Sequence, residues 1–124
     1  MLKALMAITI PFLLTGFVGK TKNDCLKITC LNTRDTVSQK KGQVKTYFLI
    51  ESLADTLSGF NIRSSCGCEY PVWKKEMRVY PGHADTVVIF SSVKDHLGYW
   101  LKQSTISAGS CSAVFTTGPW IVRE

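Results

Sequence analysis

Two thiols one residue apart, Cys66 and Cys68, flanked by Ser64-Ser65 and followed by the turn Pro81-Gly82-His83, give this chain its main capacity for chemistry. Thiols that close together can bind a soft metal, form a disulfide, or simply pack. A copper(I) or partial zinc site would draw on Cys66, Cys68 and His83, with His96 as the other imidazole in the chain. A structural zinc site wants four ligands, typically in two pairs, and only one tight pair is present here. In a regular strand, residues i and i+2 have Cα atoms roughly 6.5–7 Å apart, at the limit of disulfide reach, so Cys66 and Cys68 are not expected to bridge each other there. Gly67 relaxes this if it bends the chain, and a bridge formed that way is strained and easily reduced.

Three further cysteines complete the set: Cys25, Cys30 and Cys111. With five in all, at least one thiol is left over or pairs between molecules. A bridge from Cys111 to Cys25 or to Cys30 would tie the first strand to the last. Nucleophilic catalysis has little support. His83 and Asp85 lie close in sequence, but they read as turn and strand-start residues, and no helix offers an N-terminus to activate a thiol. The chain is read as a non-enzyme, with no cofactor beyond the copper or zinc of the thiol reading.

These residues must be positioned by a chain of 124 residues, enough for one domain. Met1-Leu2-Lys3 supplies a positive start, and Ala4 to Gly19 then runs without a charge. That run is shorter than the roughly 20 residues a spanning helix needs, and Pro11 interrupts it. The pattern is that of a secretory signal peptide over residues 1–19, with no transmembrane span in the mature chain. Export makes disulfides permissible and places the protein in the periplasm, at the cell surface or outside the cell.

Lys and Arg number 15 against 9 Asp and Glu, a net charge of +6. The basic residues are scattered from Lys20 to Arg123 rather than gathered on a stripe, so a nucleic-acid groove is not expected. Residues 20–43 are polar and read as an N-terminal extension with a first strand near 27–32. Arg34-Asp35-Thr36 and Lys40-Lys41-Gly42-Gln43 read as turns.

From Val44 β-formers dominate, and residues 44–124 are expected to form the folded body. Val44–Ser52 is predicted as a largely buried strand. Phe60 and Ile62 alternate with Asn61 and Arg63, the period-two mark of a half-buried strand over 57–65. Residues 66–75 read as an irregular connection containing Pro71, with Trp73 covering one end of the core. A short strand follows at 77–80. In 85–91, Val87 and Ile89 should face one way, Val88 and Phe90 the other. Strands are also predicted at 99–106, at 111–117 and at 120–122. No window of the mature chain has helical periodicity. About seven short strands separated by Gly, Pro and Asp turns indicate an all-β, antiparallel β-sandwich of immunoglobulin-like type.

The segments Phe48-Leu49-Ile50, Ile62-Arg63-Ser64-Ser65-Cys66-Gly67-Cys68, Pro71, Trp73, Pro81-Gly82, Val87-Val88-Ile89-Phe90 and Gly98-Tyr99-Trp100-Leu101-Lys102 resemble, in order and spacing, a bacterial domain-of-unknown-function family, number 1573. The resemblance covers residues 44–106. Ser52, Gly59, Phe60 and His83 depart from the family pattern, and the segment with Cys111 and Trp120 fits only loosely. It implies an exported, immunoglobulin-like sandwich with no established activity. The expected role is structural, or binding of a protein or glycan of the cell envelope. Trp73, Trp100, Trp120, Tyr70 and Tyr99 serve either as core and edge cover or as a patch for such a partner.

Overall fold

The structure, a computed structural model, describes residues 25–124. The signal peptide expected over 1–19 lies outside the described residues. Eight strands are present: β1 (Leu26–Cys30), β2 (Thr36–Ser38), β3 (Gln43–Ser52), β4 (Asn61–Ser64), β5 (Glu69–Val72), β6 (Ala84–Ser92), β7 (Gly98–Ala108) and β8 (Cys111–Arg123). They form two four-stranded sheets, β1-β3-β6-β5 and β2-β8-β7-β4. Every pairing is antiparallel except β2 with β8, which is parallel. The strand order is that of an immunoglobulin-like sandwich whose first strand is split between the sheets: β1 lies beside β3, and β2 lies beside the last strand. The all-β sandwich read from the sequence is therefore the fold.

Alternation builds both sheets. In β3, Val44, Thr46, Phe48, Ile50 and Ser52 point inward while Tyr47 is exposed, so this strand is half-buried and not largely buried as expected. In β6, Val87 and Ile89 are buried, and Val88 and Phe90 lie on the outer face as read from the sequence. The polar stretch read as an extension is part of the sandwich: β1 pairs with β3 over its full length, and β2 joins the second sheet. The irregular connection contains β5, whose Pro71 is tolerated because β5 is an edge strand with no further ladder to serve. The strand expected at 77–80 is reduced to isolated bridges at Val79 and Tyr80.

The two last segments are one strand. β8 runs through Gly118-Pro119, and β7 shifts register between Trp100 and Lys102 opposite that point. Gly118 has φ of 109°, and a Cβ there would strike the Trp100 carbonyl oxygen. Only glycine lets the two backbones approach so closely.

The space between the sheets divides in two. One cluster gathers Phe48, Ile50, Ile62, Val87, Ile89, Ile106 and their neighbours, with Trp73 half-buried against it. The second, smaller cluster holds Val37, Val44, Val93, Trp100, Trp120 and Val122, with Cys68 packed on it.

Candidate functional site: the Cys66–Cys68 hairpin and its buried carboxyl

Ser64 ends β4 in the second sheet, and Glu69 opens β5 in the first, so residues 65–68 carry the chain from one sheet to the other. Both sheets hold this crossover. Ser65 N donates to Gln103 O of β7 (2.9 Å), and Ser92 N of β6 donates to Cys68 O (2.8 Å). Within it, Cys66 N donates to Ser64 Oγ (3.2 Å), Glu69 N to Cys66 O (3.2 Å), and Cys68 N to Cys66 Sγ (3.0 Å).

The tight turn corrects the expectation about the two thiols. Cys66 and Cys68 form a disulfide, with Cα atoms 5.1 Å apart. An extended strand would hold them near the limit of reach, but these residues bend rather than extend, and the shorter span falls inside the ordinary range. Both cysteines are half-buried, and exposed Gly67 between them has no neighbour close to where a Cβ would stand.

Behind the hairpin sits a side chain that the sequence did not single out. Glu69 is only 4% exposed, because the alternation of β5 turns Tyr70 and Val72 outward and Glu69 inward. Its Oε2 accepts from Ser91 Oγ of β6 (2.7 Å) and from Trp100 Nε1 of β7 (3.0 Å). Its Oε1 accepts from Ser64 Oγ of β4 (3.4 Å), the same hydroxyl that receives the Cys66 N–H. One carboxyl thus joins the two sheets to each other and to the disulfide turn.

Burial lifts the Glu69 carboxyl above the usual carboxylate range. Hydrogen bonds from Ser91, Trp100 and Ser64, together with the Thr117 hydroxyl nearby, pull the other way without cancelling it. None of these partners is charged. His96 and Lys102 contact the Trp100 ring (4.8 Å and 5.3 Å to its centroid), and among the described residues no ion pair reaches the carboxyl. Trp100 stacks on Trp120, its register partner across β7 and β8, with centroids 6.0 Å apart. Arg34 lies over Trp120 (5.0 Å) while bonding Thr46 Oγ1 and Lys45 O, so it pins β3 to β8.

The other expected site residues are placed as follows. Cys25 and Cys111 form the second disulfide, with Cα atoms 6.0 Å apart, joining the start of β1 to the start of β8 as one of the two anticipated pairings. Cys30 is a free, half-buried thiol at the opening between β1 and β8, beside a cavity of about 440 Å³ lined by Leu26, Ile28, Phe48 and Phe115. His83 is stacked on Tyr80 at the Pro81-Gly82 turn (4.8 Å). The copper or zinc trio of Cys66, Cys68 and His83 does not assemble. The two sulfurs are bonded to each other, and β6 puts nine residue steps between His83 and Ser92, which holds Cys68. At about 3.3 Å a residue that is roughly 30 Å. Among the described residues, no group of three or more His, Cys, Asp or Glu side chains is placed to share a metal ion.

No family model and no curated protein matches the chain.

Proposed function

We propose that this chain is an exported β-sandwich whose main work is to bind a protein partner of the cell envelope. The observation that carries the reading is the outer face of the β1-β3-β6-β5 sheet. Register places Val72, Val88 and Tyr47 in one row across three strands, with Leu31 bonded to Tyr47 at its end. Tyr70, Phe90 and Lys45 form the adjoining row. Tyr70 is 53% exposed, Leu31 53% and Val72 44%, so this apolar patch faces solvent instead of the core. Contiguous patches of that kind on a small soluble domain mark interaction surfaces.

The packing within the patch favours protein over glycan. A sugar stacks on an open ring face, but Tyr70 and Phe90 cover each other (centroids 5.0 Å, planes 12° apart), and Lys45 Nζ lies over Phe90 (5.7 Å). What remains is Tyr70 and the aliphatic groups of Leu31 and Val72 beside a cation, which suits an apolar protein face with an acidic rim. Two disulfides, the apolar N-terminal run after Lys3, and the motif resemblance over residues 44–106 support export.

A photo-crosslinking residue placed at Tyr70, and separately at Tyr99 on the opposite sheet, tests this in cells that make the protein. One discrete adduct from position 70, absent from position 99 and lost on Val88→Lys, is the expected result. The same adduct from both positions, or none from either, would overturn it.

A further inference from the structure

We propose that the Cys66–Cys68 disulfide is a thiol–disulfide exchange site that accepts electrons from a peptide or protein dithiol, with Glu69 acting through Ser64 to hold the turn that carries the bridge. The site lies apart from the aromatic outer face and goes beyond partner binding. Three observations lead to it.

A bridge between residues separated by 2 positions closes a very short loop and does little to hold the fold, whereas Cys25–Cys111 spans 86. The short bridge also lies near the surface, its two cysteines half-buried on either side of an exposed glycine. The turn already favours one direction of cleavage as well. The Cys68 N–H points at Cys66 Sγ (3.0 Å), where it stabilises negative charge on that sulfur, so Cys66 is the better leaving group and Cys68 the sulfur to attack.

The step then balances. A substrate thiolate attacks Cys68 Sγ and forms a mixed disulfide. The Cys66–Cys68 bond breaks, and its electron pair goes to Cys66 Sγ, which takes up from water the proton that the substrate thiol gave up on ionising. The second substrate thiol gives up its proton to water and attacks the substrate sulfur of the mixed disulfide, so the substrate leaves as its own disulfide and Cys68 leaves as a thiolate that takes that proton up. Two electrons and two protons pass from the substrate dithiol to the protein.

Glu69 is placed to hold the turn while the bridge opens, and its ionisation changes that hold. Its carboxyl and the Cys66 amide share the Ser64 hydroxyl, and it has no charged neighbour to fix it as a carboxylate. Glu69 is a positioning residue in this scheme, because its link through Ser64 runs to the Cys66 backbone amide and not to a sulfur.

The test uses the full exported chain with dithiothreitol and then a reduced two-cysteine peptide as probes. Aliquots are acid-quenched, alkylated and mapped by mass spectrometry. Cys66 and Cys68 should become alkylated roughly ten-fold or more faster than Cys25 and Cys111 while the fold persists, with one equivalent of peptide disulfide formed per protein. Equal rates for the two bridges, or opening of Cys66–Cys68 without peptide oxidation, would overturn the proposal. Glu69→Gln should alter the pH dependence of the exchange rate, and an unchanged profile removes Glu69 from the scheme. If Glu69→Gln does not fold, Ser64→Ala breaks the same link and is read in the same way.

Discussion

The two ends of this sandwich are built on opposite terms. At one end the interior is apolar: Ile50, Val79, Val87, Ile89 and Ile106 are fully buried, and the Cys25–Cys111 bridge ties the first sheet to the second beside them. At the other end the interior is mixed. Trp100 and Trp120 stack between Lys102 and Arg34, and Glu69, Ser91, Ser104 and Thr117 lie among them. Buried polar groups destabilise a fold unless they are hydrogen-bonded. Glu69 is well served, but Ser104 Oγ and Trp120 Nε1 have no partner. The apolar end gains its stability from area and covalent closure, which need little directional accuracy. The polar end depends on a few directional contacts around one acid, at the place where the short disulfide reaches solvent. Stability and chemical potential are thus separated within one small domain.

Removing each disulfide in turn is the strongest way to break this comparison. By loop-closure entropy, Cys25→Ser with Cys111→Ser should cost about 4–5 kcal/mol, and Cys66→Ser with Cys68→Ser about 1–2 kcal/mol. Urea unfolding of the two double variants measures both, and equal losses would mean that the short bridge is as structural as the long one.

Glycine replacement sharpens the contrast on a smaller scale. Gly109, in the β7–β8 turn at the apolar end, has φ of 61° and open space where a Cβ would go, so Gly109→Ala should cost about 1 kcal/mol of backbone strain alone. Gly118→Ala adds a collision with the Trp100 carbonyl and should cost about 3 kcal/mol, while also disturbing the Trp100 indole that holds Glu69. Thermal midpoints that fall equally for the two variants would show that the bulge at Trp100 is compliant.

Much of the apolar end could be read in the sequence. Val87-Val88-Ile89-Phe90 and Phe60-Asn61-Ile62-Arg63 announce their inward and outward faces within a few residues. The polar end depends on partners that no local window contains. Glu69 meets Ser91, 22 residues on, and Trp100, 31 residues on. The three-residue β2 is a strand only because Thr36 to Ser38 pair with Ile121 to Arg123, and alone it looks like the turn preceding it. β5 was hidden by Pro71, which signals an edge only once the sheet order is known. A Cys66–Cys68 bridge is at the limit of reach on an extended backbone, but here the chain bends as it changes sheets. The one local clue was Gly67.

The smallest expected effect tests the polar end most directly. Folding lifts the Glu69 carboxyl above its ordinary value of 4.5, so between that value and the raised one the folded chain keeps a proton that the unfolded chain has released. The folded state binds more protons there, and this group's contribution to stability falls as pH rises through the window and stays lost above it. Glu69→Gln removes the titration while keeping a carbonyl oxygen to accept from Trp100 and Ser91. The wild type should therefore lose stability relative to the variant as pH climbs from about 4.5, the difference levelling off once the folded carboxyl has ionised. Urea midpoints for both proteins across pH 4 to 8 read this out. Parallel curves would mean that the carboxyl ionises as easily in the fold as in the open chain, and the distinction between a dry end and a proton-holding end would collapse.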